Sequence, residues 1–193
     1  MVANGVCRTA ALAISMCALL APAGPAAAQD SSGADGNPAI RDHLQLGLGF
    51  FDVFDQEDES VYASAIYRPG VRYLDFGAQA GDVWQGIGPQ AGVGLNSDGG
   101  KLAHAGFFLD IRPFDNVVVW PGTNVAAWDA GDSRDLGGTF QFMSELYVGY
   151  RLPWDDLVGV SLQHISNADI HDSNRGGDTL MATYTVSFAP LFG

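Results

Sequence analysis

TFQFMSELYVGYR, residues 139–151, is the stretch whose reading decides the fold. Phe140, Phe142, Leu146, Val148 and Tyr150 fall on one parity, while Thr139, Gln141, Glu145 and Arg151 fall on the other, with Met143, Tyr147 and Gly149 between them. A period of two is the signature of an extended strand, whose successive side chains point to opposite faces. One face here is nearly all apolar, and the other carries charges of both signs. In a soluble barrel the apolar face would point inward. In a barrel set in lipid the order inverts, and alternation by itself does not distinguish the two.

Working outward, similar short alternating runs recur between clusters of turn residues, and no helix-period segment of useful length appears. The runs cover 43–54, 60–68, 71–80, 84–95, 101–112, 117–128, 138–151, 156–166 and 178–188. These are nine, so either 71–80 belongs to a loop or two neighbouring runs form one bent strand. Upstream, Arg8 is followed by an apolar stretch from Ala10 to Leu20 and by Ala26-Ala27-Ala28. That order reads as a secretory signal peptide over 1–28, since the apolar run is shorter than the ~20 residues a spanning helix needs. Residues 29–40 read as a flexible lead-in. A secretion signal, strands of 10 to 13 residues and the aromatic-bearing C-terminal SFAPLFG all favour lipid. The expected fold is therefore all-β: an eight-stranded antiparallel transmembrane β-barrel over 41–193, in a bacterial outer membrane. Barrels this small are filled by side chains rather than forming a pore.

Composition narrows the chemistry. Both cysteines, Cys7 and Cys17, lie in the signal segment, so the mature chain has no disulfide and no thiolate metal site. The formal net charge is −13, and it becomes −14 once Arg8 is removed. So acidic a chain is a poor partner for nucleic acid, whose affinity depends on Lys and Arg.

The chemistry-bearing segment is VGVSLQHISNADIHDSNRGGDTLMATYTVSF, residues 158–188. Val158, Val160, Leu162, His164 and Ser166 share one parity. Asp178, Leu180, Ala182, Tyr184, Val186 and Phe188 share the corresponding parity of the next run. Paired as an antiparallel hairpin, the two runs bring His164, Ser166 and Asp178 together, facing outward at the margin of the greasy surface. A Ser hydroxyl needs a base within reach to act as a nucleophile. A His two residues away on the same face sits about 7 Å off at Cα, and a carboxylate would hold its tautomer and stabilise the imidazolium. Asn167 carries an amide able to donate to a developing oxyanion, a contact worth about 3–4 kcal/mol where tested. The plainer reading is that His, Ser and Asn are ordinary residues at a barrel rim.

HISNADI, 164–170, followed by a polar loop, an acid at 178 and an alternating final strand, resembles the lipid A 3-O-deacylase family of outer-membrane barrels. The family signature is His-x-Ser-Asn-Ala with a Glu twelve residues after the Ser. His164, Ser166, Asn167 and Ala168 match it, and the position of the Glu is held by Asp178. The resemblance implies an esterase acting on lipid A in lipopolysaccharide, with Ser166 as nucleophile, His164 as base, Asp178 as acid member, Asn167 in the oxyanion hole, and no metal or other cofactor. A lipid substrate also explains polar residues facing outward, because an acyl ester can then be met sideways from the bilayer. Asp172 is a second candidate for the acid member, and Asp169 stands where the family often has Gly.

Other residues have structural readings. His43 and His104 lie in strand-like runs without partners at metal spacing, and His171 reads as a loop residue. The acidic run DQEDES, 55–60, reads as a solvated turn, with calcium binding as the sharper option. Glu145 and Arg151 are candidates for an ion-pair network in the lumen. The alternatives to an enzyme are a structural or adhesive small barrel with a decayed site, and a soluble secreted ligand-binding barrel.

Overall fold

The computed structural model describes residues 41–55, 58–79 and 81–191. The expected signal peptide, the lead-in and the C-terminal Gly193 lie outside the described residues. Eight antiparallel strands close into one barrel: β1 Asp42–Phe51, β2 Ser60–Arg68, β3 Trp84–Asn96, β4 Lys101–Phe114, β5 Val117–Asp129, β6 Phe140–Arg151, β7 Leu157–Ser166 and β8 Gly177–Phe188. Each strand pairs with its sequence neighbours, and β1 meets β8 to close the ring, with Leu46 opposite Tyr184. Closure leaves no unpaired strand edge, a requirement in a solvent that cannot hydrogen-bond a backbone.

The direction of the faces settles the ambiguity of 139–151. Leu48 is 62% exposed, Val93 55% and Val160 51%, whereas Arg68, Gln45 and Gln141 are fully enclosed at 0%. Apolar side chains point out and polar ones point in, the inverted order of a barrel that spans a lipid bilayer. Tyr150, Trp154 and Tyr184 gather on the outside near one end, where the Tyr184 hydroxyl donates to Asp156 at 2.7 Å. Amphipathic aromatics of this kind suit the interface between lipid and water.

The lumen is filled in layers, as barrels of this size require. Phe51, Tyr62, Trp128, Met143 and Met181 form an apolar cluster beneath the four loops that follow the odd-numbered strands. Phe108, Val118, Trp120, Tyr147 and Leu157 form a second one towards the opposite end. Between them lies a polar layer centred on Arg68. Its guanidinium donates to Gln90 at 2.8 Å, Gln45 at 2.8 Å and Glu145 at 2.7 Å. Glu145 accepts in addition from Gln45, Ser161 and Gln163. Glu145 thus joins a lumen network as expected, but its partner is Arg68. Arg151 sits at the end of β6 and reaches Asp155 instead, at 4.0 Å.

The run at 71–80 is not a ninth strand. Within 71–79 its backbone pairs with the sheet through one isolated bridge, Tyr73 to Ile87, and Leu74 and Phe76 take left-handed φ values of 52° and 53°. What holds the segment is Arg72, which turns into the barrel end, pairs with Asp110 at 3.0 Å and stacks over the Phe108 ring at 4.7 Å. His43 and His104 are both lumen residues, buried at 2% and 6%.

Candidate active site

Strands β7 and β8 form the expected hairpin, and its register sets His164 directly opposite Asp178. Both side chains face outward. His164 Nδ1 lies 2.8 Å from Asp178 Oδ1, with the two side chains 50% and 27% exposed. Direct opposition is what lets an Asp suffice: cross-strand Cβ atoms stand only about 5 Å apart, so the shorter acid closes the gap. With a carboxylate at Nδ1, that nitrogen carries the proton and Nε2 is left as the basic lone pair.

Ser166 lies two residues along the same outward face, opposite Phe142 of β6. Among the described residues no side chain hydrogen-bonds its hydroxyl. A contact between base and nucleophile commonly tightens only when substrate is seated. The candidate triad members are therefore on one face at one end of one hairpin, with the acid–base pair already formed.

Asn167 is the exception. Alternation turns it inward, and it is buried at 0%. Its amide nitrogen donates to the carbonyls of Leu136 at 2.8 Å and Ser173 at 2.6 Å, and so both N–H bonds are committed. The side chain pins the loop between β7 and β8 to the loop between β5 and β6, and it does not face Ser166. The expectation that its amide lines an oxyanion hole is corrected by this geometry.

The backbone after Asn167 is unusual. Ile170 N donates to Asn167 O at 3.1 Å, closing a tight turn through Ala168 and Asp169, whose φ values are 52° and 61°. Two successive non-glycine residues in the left-handed region cost on the order of 1–3 kcal/mol each, and strain of this kind concentrates at functional sites. The Asp169 carboxylate accepts from Asn174 at 3.0 Å. Asp172 is exposed in the loop, and His171 Nε2 meets Phe140 O at 3.2 Å.

Two residues that sequence reasoning missed support this geometry. Gly176 has φ of 64°, and a Cβ there would sit 3.2 Å from His164 Cε1 and 3.7 Å from Nε2. Its lack of a side chain keeps the basic edge of the imidazole open. The Gly176 carbonyl accepts from Arg134 at 3.2 Å. Arg134, only 2% exposed, also binds Asp52 at 2.8 Å, Asp55 at 3.2 Å and Asp58 at 3.3 Å. Burial alone would lower its pKa, but the hydrogen bonds to Asp55 and Asp58 and the charge of Asp52 outweigh that and raise it. Asp55 and Asp58 of the acidic run thus clasp a buried guanidinium while their own side chains stay 62% and 39% exposed. Among the described residues, no group of His, Cys, Asp and Glu is arranged to hold a metal.

Comparison with known proteins agrees with the hairpin and the barrel. The crystal structure of the outer membrane enzyme PagL superposes with a TM-score of 0.57 at 18% identity, covering 75% of this chain and 98% of that one. A de novo designed transmembrane β-barrel gives 0.50 at 8% identity, covering 79% of this chain and 99% of the design. Both likenesses are of fold. Lipid A deacylase PagL of Bordetella bronchiseptica (strain ATCC BAA-588 / NCTC 13252 / RB50) is 31% identical over 67 residues, which is 35% of this chain and 38% of that protein's length. The family model for lipid A 3-O-deacylase (PagL) matches residues 67–187, well over half of the sequence and all of the candidate site. This chain belongs to the lipid A 3-O-deacylase (PagL) family.

Proposed function

We propose that the chain is an outer-membrane serine esterase that hydrolyses the 3-O-linked acyl chain of lipid A in lipopolysaccharide. Ser166 Oγ attacks the ester carbonyl while His164 Nε2 takes its proton. Asp178, bonded at Nδ1, stabilises the resulting imidazolium. The tetrahedral intermediate collapses by breaking the bond to the sugar oxygen, which leaves with the proton from His164. Water, deprotonated by His164, then attacks the acyl-Ser166 carbonyl. The fatty acid departs, and Ser166 recovers its proton. The oxyanion is assigned to the main-chain N–H groups of Ala168 and Asp169, two and three residues after Ser166, for which no hydrogen bond is made among the described residues. The scheme calls on no cofactor.

The observation that carries this reading is the preformed His164–Asp178 pair on the outward face, one pleat from Ser166. A water-soluble substrate would gain nothing from a site turned towards lipid. A membrane lipid presents its ester there directly, and dry surroundings strengthen every polar contact with the developing charge. The test is mass spectrometry of lipid A after expression of the wild-type protein or Ser166→Ala, with barrel folding checked by heat-modifiable gel mobility. The wild type should remove the mass of one ester-linked acyl chain, and folded Ser166→Ala should remove none. Unchanged release by the variant ends the nucleophile assignment, whereas lipid A left intact by wild type leaves a structural or adhesive barrel.

A further inference from the structure

The connection between β2 and β3 carries an apolar surface of its own, at the barrel end opposite the candidate site. Tyr73, Leu74, Phe76 and Val83 are all exposed there, and Phe76, at 84%, is the most exposed large apolar side chain among the described residues. Phe114, closing β4 at the same end, is exposed as well. Tyr73 bridges Ile87 in antiparallel fashion, so the two side chains share a face. Ile87 has the outward parity of β3, with Ala91, Val93 and Leu95. The connection therefore starts as a continuation of the outer wall.

The polar groups of this segment are spent within the protein. Asp75 accepts from Gly77 N at 3.3 Å, and Asp82 accepts from Gln79 N at 2.7 Å. The Gln85 amide donates to the carbonyls of Gln79 and Asp82, and the Trp84 indole N–H donates to that of Leu74. Arg72 is turned into the barrel end against Asp110. Polar groups drawn inward with apolar side chains left outside is the order of a surface that meets lipid. The backbone points the same way. Leu74 and Phe76 hold left-handed φ, which Asn or Gly adopts more readily than a large apolar residue.

We propose that Tyr73, Leu74, Phe76 and Val83, with Phe114, form an anchor that inserts into the phospholipid leaflet away from the candidate site. The patch is continuous with the wall that already faces lipid, and its charged groups Arg72, Asp75 and Asp82 are each hydrogen-bonded inside the protein. Apolar side chains at such a boundary lie about 5–10 Å into the headgroup and acyl zone. The anchor holds the barrel at one depth, and with it the height at which His164 and Ser166 meet the opposite leaflet.

The test places a fluorophore at the tip. Phe76→Cys in the full chain is labelled with an environment-sensitive nitrobenzoxadiazole group and reconstituted into phosphatidylethanolamine–phosphatidylglycerol vesicles. The unsubstituted protein, carried through the same labelling, sets the background, and Asp132→Cys in an exposed loop at the other end is the reference for a label in water. The label at 76 should emit at shorter wavelength than that at 132, be quenched by lipids brominated high on their chains, and be shielded from aqueous iodide. Quenching by iodide alone overturns the anchor and leaves the loop to water or a soluble partner. Shielding from both quenchers overturns it too, and buries the loop in protein, a second copy included. Leu74→Asn with Phe76→Asn gives an independent readout in urea unfolding from the same vesicles. Asn suits the left-handed backbone, so a loop in water should keep or gain stability. A loop in lipid should lose it, and the expected result is a lower unfolding midpoint. A midpoint unchanged or raised overturns the anchor.

Discussion

The barrel holds two acid–base pairs of nearly the same length, one bridging β2 to β6 through the lumen and one between neighbouring strands on the outer surface. Arg68 and Glu145 meet at 2.7 Å inside, both at 0% side-chain exposure. His164 and Asp178 meet at 2.8 Å outside, at 50% and 27%. The inner pair is saturated. Arg68 donates to three acceptors and lies within 5.7 Å of the Phe108, Trp120 and Tyr147 rings, and Glu145 is bonded through both oxygens. Nothing there is left to bind a substrate. The outer pair keeps an imidazole nitrogen uncommitted, beside a glycine that adds no bulk. Saturation marks a pair that holds the wall together, and an open valence marks one that can react.

The sharpest way to break this comparison is to delete a member of the outer pair. His164→Ala and Asp178→Asn should each lower kcat by about 10⁴-fold, the size seen when a triad loses its base or holds it in the wrong tautomer. Folding should be unaffected, because neither side chain packs into the core. Initial rates on lipid A, with gel mobility as the folding control, read both quantities. A rate loss accompanied by failure to fold would make the outer pair structural like the inner one.

The inner pair should respond in the opposite sense. Arg68→Met leaves Glu145 enclosed without its cation, and breaking a buried pair this way costs about 3–5 kcal/mol of stability. The double change Arg68→Met with Glu145→Leu should recover most of that, since matched apolar residues replace such pairs at little cost. Urea unfolding in lipid vesicles measures both. Activity of whatever remains folded should be close to that of wild type. A single variant as stable as the parent would mean that the lumen admits water to Glu145, and the contrast in enclosure would lose its force.

Parity is why so much was legible in the sequence. Once 139–151 is read as a strand with period two, the same rule assigns faces to β7 and β8 and brings His164 to Asp178. What alternation could not supply is which face meets solvent. That needed coordinates, where Val160 lies outside and Gln163 inside. The expectation at Asn167 followed chain adjacency to Ser166, whereas the alternation of β7 carried one residue past its end sends Asn167 inward. Residues 71–80 alternate like a strand, but the Arg72 side chain enters the barrel end and the backbone follows it. The Arg134 clasp was invisible for another reason. It joins Asp52, Asp55 and Asp58 to Gly176 across more than 100 residues of sequence, and such a contact has no period or spacing to betray it.

The smallest expected effect tests the finest feature of the outer pair, the length of its acid. Where acid and His stand on diagonal positions, an added methylene would decide whether they touch. Here they face one another across a single interstrand gap, and Asp178 already reaches Nδ1. Glu at this position needs only to fold its extra methylene to present the same oxygen, and at 27% exposure there is room to do so. Asp178→Glu should therefore change kcat by no more than about threefold, below 1 kcal/mol in the barrier, in contrast to the loss expected for Asp178→Asn. A large drop with Glu would mean that the register is tuned to the shorter acid. Equal rates for Asp, Asn and Glu would remove this carboxylate from the reaction, and Asp172 would become the group to vary next.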